Sequence, residues 1–278
     1  MAKLNLTFKV LKKLPNGFHE IESYITFLPN IFDTLIISVS RKNSLTINGP
    51  FASKLIKNGG DTLIKRTIKF FSEKNSIPIK LNIRLQKNIP LGSGLGGGSA
   101  DAAAIARSII KIYGLEKKDA HFKNKLKLIG SDVPVCFFSK NAIVTGSGEK
   151  ISLLKKSGIK LWVLVITPDI HISTSDIFNR FKGPYLLKSK KIFNYDNLIA
   201  EMNETQNAFE QTIKKQYIKI KHLIDSLPKS RYLVSPRITG SGSSIFVTFD
   251  SYLKAKKYLD ETLKVTDNVW VKISPIYL

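Results

Sequence analysis

A glycine-rich segment at residues 90–104 holds the residue types and spacing best suited to chemistry in this sequence; it reads PLGSGLGGGSADAAA. Glycine lets backbone N–H groups surround phosphate oxygens because no Cβ atom stands in the way. A strand pattern precedes the segment and an alanine-rich helical pattern follows it, so the glycines lie at a helix N-terminus, whose partial positive charge attracts anions. The segment therefore predicts a loop that binds phosphate groups through its backbone.

Other interpretations of these glycines are weaker. A turn without a ligand is disfavoured, because so many glycines ahead of a helix destabilise the chain unless something must come close. Gly92, Gly94 and Gly97 fit the G-x-G-x-x-G pattern of a dinucleotide-binding fold. That pattern should follow the first strand of a βαβ unit and precede an acidic residue at the next strand end. Here it lies deep in the chain, and the acidic candidates Glu116 and Asp119 lie in a lysine-rich stretch. Nothing matches the Walker pattern G-x-x-x-x-G-K-[ST].

The segment resembles, nearly letter for letter, the central motif of the GHMP kinases, P-x-x-x-G-L-G-S/G-S/G-S-A. Further segments resemble one branch of that superfamily, the 4-diphosphocytidyl-2-C-methyl-D-erythritol kinases, in the same order along the chain. They read AKLNL at residues 2–6, PNGFHEI at 15–21, GSDVP at 130–134, GSGE at 146–149 and TGSGS at 239–243. One short match can arise by chance, but this ordered series spans most of the chain, so the sequence is identified as a member of that branch.

The resemblance implies a mixed α/β (α+β) fold of two domains. Residues 1–155 would form the ATP-binding N-terminal domain, similar to ribosomal protein S5, and residues 156–278 a ferredoxin-like substrate-binding domain. A polar stretch at 155–158 before a new strand pattern favours a boundary there. ATP and Mg²⁺ are the implied cofactors, and the sequence itself shows no cluster of metal-binding residues. The implied reaction is phosphorylation of the 2-hydroxyl of 4-diphosphocytidyl-2-C-methyl-D-erythritol, in the non-mevalonate route to isoprenoids.

Two residues are implied to carry the transfer chemistry. Asp132 would accept the proton of the attacking hydroxyl. Lys3 would stand beside it, keep it ionised and offset charge on the γ-phosphate. Without the resemblance, Asp132 is better interpreted as a turn aspartate bonded to its own backbone, and Lys3 as a surface lysine. Asn5 follows two residues later on the same strand face, and either a substrate-binding or a structural role fits it.

The remaining implied site residues bind the substrates. Phe18, where the branch usually has tyrosine, and Phe178 would sandwich the cytosine ring, and His19 would read its edge. Thr174 lies one helical turn before Phe178 and faces the same pocket. Thr62 replaces an asparagine that often lies near the adenine. Gly240 and Gly242 fit either simple turn glycines or, as we favour, backbone donors near the substrate phosphates, and Ser241 between them is counted with the substrate site. The implied nucleotide-binding residues are Gly92, Gly94, Leu95, Gly96, Gly97, Gly98, Ser99 and Ala100.

The elements that must position these residues follow from hydrophobic periodicity and turn residues. Gly114 is the expected end of the helix that follows the glycine-rich segment. Predicted strands are residues 3–11, 34–40, 79–85, 136–138, 142–145, 160–167, 245–249 and 269–274, and predicted helices are 61–74, 99–113, 174–180, 203–211, 217–227 and 254–264.

Composition bounds the class of protein. Apolar residues make up 43% and charged residues 23% of the chain, as in ordinary globular proteins. No apolar run reaches the roughly 18 residues of a bilayer span, and the first residues lack a signal-like apolar segment. We therefore expect a cytoplasmic protein without a membrane partner. Cys136 is the one cysteine of the sequence, so an internal disulfide is excluded and a buried apolar role is expected.

The net charge of +23 raises the possibility of a nucleic-acid partner. The excess is nearly all lysine and is spread along the chain, so solvated lysines are the simpler interpretation and we expect no such partner. Two alternatives stay open: another GHMP kinase, acting on homoserine, mevalonate or a sugar, and a non-catalytic nucleic-acid binder with an S5-like domain. A monomer or weak homodimer is expected. His121, His171 and His222 lack a partner pattern and are interpreted as incidental.

Overall fold

The computed structural model describes residues 1–115, 125–155, 157–189, 195–229 and 232–278. The strands are β1 (Ala2–Asn5), β2 (Lys9–Lys13), β3 (His19–Leu28), β4 (Thr34–Val39), β5 (Ser44–Asn48), β6 (Leu81–Gln86), β7 (Ala142–Gly146), β8 (Lys150–Leu153), β9 (Lys160–Pro168), β10 (Val234–Ile238), β11 (Ile245–Phe249) and β12 (Val269–Tyr277). The helices are α1 (Ala52–Lys57), α2 (Thr62–Asn75), α3 (Gly97–Tyr113), α4 (Val133–Phe138), α5 (Thr174–Arg180), α6 (Tyr195–Glu204), α7 (Glu210–Gln216), α8 (Ile218–Ser226) and α9 (Tyr252–Val265). Within the described ranges, none of the helices has both the length and the apolar character that a bilayer span requires.

These residues form two compact units, which are described separately. The first unit contains Met1–Lys3, Ile31–Leu91 and Gly96–Lys140, and the second contains Leu4–Asn30, Gly92–Leu95 and Asn141–Leu278. The domain boundary at residue 155 stays a prediction. Glu116, Asp119 and His121 lie outside the described residues.

The first unit has a three-stranded sheet in the order β4-β6-β5. Its middle strand β6 pairs antiparallel with β4 and parallel with β5. Leu81, Ile83 and Leu85 of β6 are buried while the side chains between them are less so, which is the alternation that predicted the strand. Helix α2 starts where the side chain of Asp61 accepts a hydrogen bond from the Ile64 N–H at 2.9 Å.

Helix α3 follows the glycine-rich segment and packs against α2 and α4. It begins after Gly96, at φ +66°, and ends at Gly114, at φ +61°. This left-handed conformation is readily adopted by glycine and disfavoured for other residues. Ala102, Ala103 and Ala106 are fully buried, so their small side chains let the helix lie close to its neighbours. The predicted helix and its glycine stop are confirmed.

The second unit contains two sheets. One has the order β10-β11-β9-β12, in which β9 pairs antiparallel with both β11 and β12. The other has the order β1-β3-β7-β8, with β2 added to β3. Apolar side chains of α5, α7, α8 and α9 pack with those of β9 and β11 in one core cluster. This is the mixed α/β architecture that the sequence predicted.

Three local predictions were wrong. Residues 136–138 are not a strand but part of helix α4, whose first turn contains Pro134. Proline favours the first turn of a helix, and a short apolar run fits a strand or a buried helix equally well. The predicted helix 203–211 is interrupted between α6 and α7, where the Asn207 side chain accepts a hydrogen bond from the Phe209 N–H at 2.8 Å. The predicted strand 3–11 is split into β1 and β2.

Candidate active site

Lys3 and Asp132 lie together in the first unit. The Lys3 Nζ atom is 3.4 Å from Asp132 Oδ2, and the two side chains are 6% and 40% exposed. A buried ammonium group thus faces a carboxylate that still has an accessible side. Asp132 directly precedes α4, yet its side chain makes no capping hydrogen bond to that helix. The Asp132 carboxylate is therefore not used to cap the N-terminus of α4.

The start of α3 lies next to Lys3. A Cβ atom on Gly96 would be 2.7 Å from Lys3 Cγ, so the lysine stem runs directly across this glycine. The Ala100 N–H donates to the Gly96 carbonyl at 2.8 Å and closes the first helical turn. The backbone N–H groups ahead of it, including those of Gly97 and Gly98, have no partner inside the helix. Helix N-terminus and lysine together form a positively polarised surface that suits a phosphate group.

A buried charged network supports this helix start. Lys87 Nζ is 2.6 Å from Asp33 Oδ2 and 2.7 Å from Asp101 Oδ2. It also lies 3.1 Å from where a Cβ of Gly97 would be, so the ammonium group is directly under the first residue of α3. Burial raises the pKa of Asp101, and although Lys87 opposes that rise, Asp33 adds to it. Burial alone would lower the pKa of Lys87, but the carboxylates of Asp101 and Asp33 raise it overall, so the lysine stays charged.

In the second unit, the other end of the glycine-rich segment meets the C-terminal glycine turn. A Cβ on Gly94 would be 2.6 Å from the carbonyl oxygen of Gly242 and 2.9 Å from that of Thr239, so only glycine fits between them. The Ser244 N–H donates to the Ser93 carbonyl at 3.0 Å. Two segments that are far apart in sequence are therefore joined backbone to backbone.

Side chains around this turn fix it further. Asn5 donates through its backbone N–H to Thr239 Oγ1 at 2.9 Å, and its side-chain Nδ2 donates to Ser23 Oγ at 2.7 Å. The hydroxyl groups of Thr174 and Ser241 are 2.8 Å apart. The structure thus brings Thr174, Ser241 and the turn together, while the side-chain amide of Asn5 already has a structural hydrogen bond.

The aromatic residues of the expected base pocket differ in their surroundings. Phe18 is 63% exposed. The Phe178 ring lies 5.3 Å from that of His19, at an interplanar angle of 32°, and 4.7 Å from Phe209, edge to face. Burial lowers the pKa of His19, and Lys13 adds to this, so the imidazole is neutral at neutral pH. Phe178 is partly buried and packs against the core, and it is also a candidate for ring stacking.

Sequence reasoning missed three features of these sites. The Asp33–Lys87–Asp101 network joins residues far apart in sequence, and the available signal was one aspartate, Asp101, in an alanine-rich buried stretch. His171, interpreted as incidental, packs its ring against Gly92. Asn207 was placed inside a helix but contacts the C-terminal glycine turn. Cys136 is buried as expected, and burial raises the pKa of its thiol to about 12.

Comparisons with known proteins agree with this fold and these motifs. Residues 62–140 match the family model of the GHMP kinases N terminal domain. A relative from Prochlorococcus marinus (strain NATL2A), a 4-diphosphocytidyl-2-C-methyl-D-erythritol kinase, is 35% identical over 94% of this chain and 86% of its own length. A protein of the same name from Caldicellulosiruptor saccharolyticus is 30% identical over 100% of this chain and 93% of its own.

A crystal structure of a 4-(cytidine 5'-diphospho)-2C-methyl-D-erythritol kinase has a similar fold, with a TM-score of 0.76 at 21% identity, covering 100% of this chain and 97% of that one. The family resemblance drawn from the motifs is confirmed. Given the identity to curated relatives over nearly its whole length, the chain belongs to the 4-diphosphocytidyl-2-C-methyl-D-erythritol kinase family, a branch of the GHMP kinases.

Proposed function

We propose that this enzyme transfers the γ-phosphate of ATP to the 2-hydroxyl of 4-diphosphocytidyl-2-C-methyl-D-erythritol, a step in isoprenoid precursor synthesis. The observation that carries the proposal is the Lys3–Asp132 pair beside the start of α3. It occurs in a chain whose relatives bear the name of that kinase. ATP use follows from membership of the GHMP kinases.

In this proposal, the hydroxyl oxygen of the acceptor forms a bond to the γ-phosphorus while the bond from that phosphorus to ADP breaks. Asp132 accepts the proton that the hydroxyl group loses. Its accessible side is where the hydroxyl would approach. Lys3 contributes a fixed positive charge to the phosphoryl group in transit. The N–H groups at the start of α3, which have no partner inside the helix, bind phosphate oxygens, and the Lys87 ammonium group supports this helix start from below. Mg²⁺, arriving with the nucleotide, would supply further charge neutralisation on its phosphates.

A separate set of residues binds the acceptor in this proposal. Cytosine stacks on Phe18 and Phe178, and the neutral His19 offers one donor and one acceptor for the edge of the base. Asn5, Thr174, Gly240 and Ser241 complete the acceptor site, with the phosphates near the glycine turn.

The direct test of the function is ADP release in the presence of different acceptors. We expect turnover with 4-diphosphocytidyl-2-C-methyl-D-erythritol and background rates with homoserine, mevalonate and galactose. The uridyl analogue should be a poorer substrate, because the amino donor of cytosine becomes a carbonyl in uracil and leaves a buried partner unpaired. Turnover of homoserine or mevalonate alone would instead make the protein a GHMP kinase with another substrate.

Replacing Phe18 by alanine should weaken acceptor binding specifically. Stacking on an aromatic ring is worth about 1–3 kcal/mol per base, so the acceptor KM should rise about 5- to 150-fold while the ATP KM stays nearly constant. Phe18 is mostly exposed, so this change leaves the core intact. Phe178→Ala is less informative, because removing a partly buried ring packed on Phe209 also lowers the free energy of unfolding. Steady-state kinetics with both substrates varied measures the effect.

Phe32→Ala is the matched control, since Phe32 is another phenylalanine with a largely exposed side chain, at 47%. It should leave both KM values unchanged. An unchanged acceptor KM in Phe18→Ala would remove Phe18 from the base pocket.

The remaining partner assignments are predictions of the same proposal. Several surface lysines pair with acidic residues one helical turn away, as Lys221 does with Asp225 and Lys254 with Asp250. Such pairing is what solvated helix faces show, and the absence of a nucleic-acid partner stays a prediction. A cytoplasmic location and a monomer or weak homodimer also remain predictions.

A further inference from the structure

The C-terminal glycine turn, residues 239–243, has backbone and side-chain donors that the protein itself does not use. Within the described residues, the Ser241 N–H makes no hydrogen bond. The hydroxyl of Ser243 is buried and likewise has no partner there. Gly240 and Gly242, on either side of Ser241, have φ values of +54° and +78°, which glycine adopts readily. The Gly242 N–H closes the turn by donating to the Thr239 carbonyl at 3.0 Å, so the Ser241 N–H is the donor that the turn leaves available.

One side chain controls how this turn is oriented. Asn207 Nδ2 donates to the carbonyl oxygens of Ile238 at 2.9 Å and Gly240 at 2.7 Å, on either side of Thr239. In a trans peptide the N–H points opposite to the C=O. Because Asn207 holds the Gly240 carbonyl, the N–H of Ser241, in the same peptide unit, points away from Asn207.

Asn207 is itself held firmly in place. It is buried, and its Oδ1 accepts from the N–H of Phe209, a fully buried residue of the core cluster. The N–H of the intervening Ala208 donates to the Phe8 carbonyl at 2.9 Å. The Asn207 side chain is therefore fixed to the core, and its two donated hydrogen bonds fix the glycine turn to the same core.

We infer that Asn207 is a positioning residue for diphosphate recognition: it orients the Gly240–Ser241 peptide so that the Ser241 N–H faces the diphosphate group of the acceptor. This inference rests on the proposed function, in which the turn lies near the acceptor phosphates. Asn207 itself contacts no substrate in this arrangement and acts through the backbone of residues 238–241, which it holds by hydrogen bonds.

The test compares binding of cytidine and cytidine diphosphate by titration calorimetry. Wild type should bind the diphosphate at least about tenfold more tightly, as expected for charge-assisted hydrogen bonds. Asn207→Asp keeps the acceptor for Phe209 but puts a carboxylate against two carbonyl oxygens, and Asn207→Ala removes both functions without adding charge. Both variants should lose most of the preference for the diphosphate while cytidine binds within about twofold of wild type. The acceptor KM should rise accordingly, and the ATP KM should not.

Asn141→Asp is the matched control. Asn141 also donates through Nδ2 to a backbone carbonyl, that of Tyr277 at 2.6 Å, and accepts through Oδ1 from Thr26. It should lose some thermal stability and keep the preference for the diphosphate. A purely structural role of Asn207 would give the same pattern as this control, with fewer active molecules but unchanged affinities, and would overturn the inference.

The outcomes separate the inference from the function on which it rests. Equal affinity of wild type for cytidine and its diphosphate overturns the placement of the phosphates and the inference with it. If Asn207→Ala keeps the wild-type preference for cytidine diphosphate over cytidine, the inference is overturned but the proposed function is not. The same holds if only Asn207→Asp loses that preference, because charge repulsion would then explain the loss. Should the variants fail to fold, nitrogen-15 NMR of wild type decides: the Ser241 amide signal should shift with cytidine diphosphate and not with cytidine, and no shift contradicts the inference.

Discussion

Asp132→Asn should leave a folded protein that binds both substrates and has almost no turnover. Loss of a general base typically lowers the rate by about 10²–10⁴-fold. Asparagine has nearly the same shape but cannot accept the hydroxyl proton. The fold should survive, because the carboxylate does not cap α4 and the asparagine side-chain oxygen can still accept a hydrogen bond from the buried Lys3 ammonium group, although loss of the charge pair lowers the free energy of unfolding. Single-turnover measurement of ADP formation, with thermal melting alongside, gives both quantities.

A suitable control for that variant is Asp250→Asn, which removes a carboxylate from an exposed ion pair with Lys254. It should melt and turn over like wild type. Near wild-type turnover of Asp132→Asn would show that the proton leaves by another route, to solvent or to the phosphate itself, and would end the assignment of Asp132 as the base.

Gly96→Ala should disable the phosphate-binding helix start and the transfer step together. The new Cβ would be 2.7 Å from Lys3 Cγ, close to the middle of the lysine stem, so the stem must move. Its ammonium group is paired with Asp132, and a displacement of about 1 Å in a catalytic group can lower the rate about 10²-fold. The alanine also has to adopt φ near +66° at the start of α3, which costs about 1–2 kcal/mol. We expect at least about a 10²-fold loss in kcat/KM for ATP.

The same helix offers the matched control at its other end. Gly114 has φ +61°, and a Cβ there would meet nothing within 4 Å. Gly114→Ala therefore carries the backbone strain without the collision, and it should lower the melting temperature while kcat/KM stays near wild type. If Gly96→Ala behaves like Gly114→Ala, the contact with Lys3 is unimportant and only backbone strain was added.

Structural features that are set by neighbouring residues in the sequence could be predicted, whereas features set by contacts between distant residues could not. The glycine-rich segment was recognised because a phosphate-binding turn needs glycine at fixed places, and the structure confirms its position at the start of α3. Residues 136–138 were placed in a strand because three apolar residues carry no period that separates a strand from a buried helix. The start of α4 is instead set by Pro134 and by packing against α3.

Other parts of the site depend on tertiary contacts that sequence spacing does not reveal. The Lys3–Asp132 pair was predicted only because a family resemblance placed the two residues together. The contacts of Lys87 were not predicted, because its two partners come from separate parts of the chain. Those of Asn207 were not predicted either, because they exist only where the chain leaves the helical conformation between α6 and α7.

The Asp33–Lys87–Asp101 network also constrains how this sequence can diverge. Removing Lys87 leaves two buried carboxylates without a counter-charge, which costs about 3–5 kcal/mol, and removing Asp33 leaves the N–H groups of Asn88 and Ile89 without their acceptor. Replacing a whole buried ionic set by apolar side chains of similar volume is often neutral or stabilising. The three positions are therefore epistatic: loss of Lys87 is deleterious while both aspartates remain and is tolerated only after they have changed. A single substitution in this network is therefore selected against, so we expect the three residues to be retained together or replaced together.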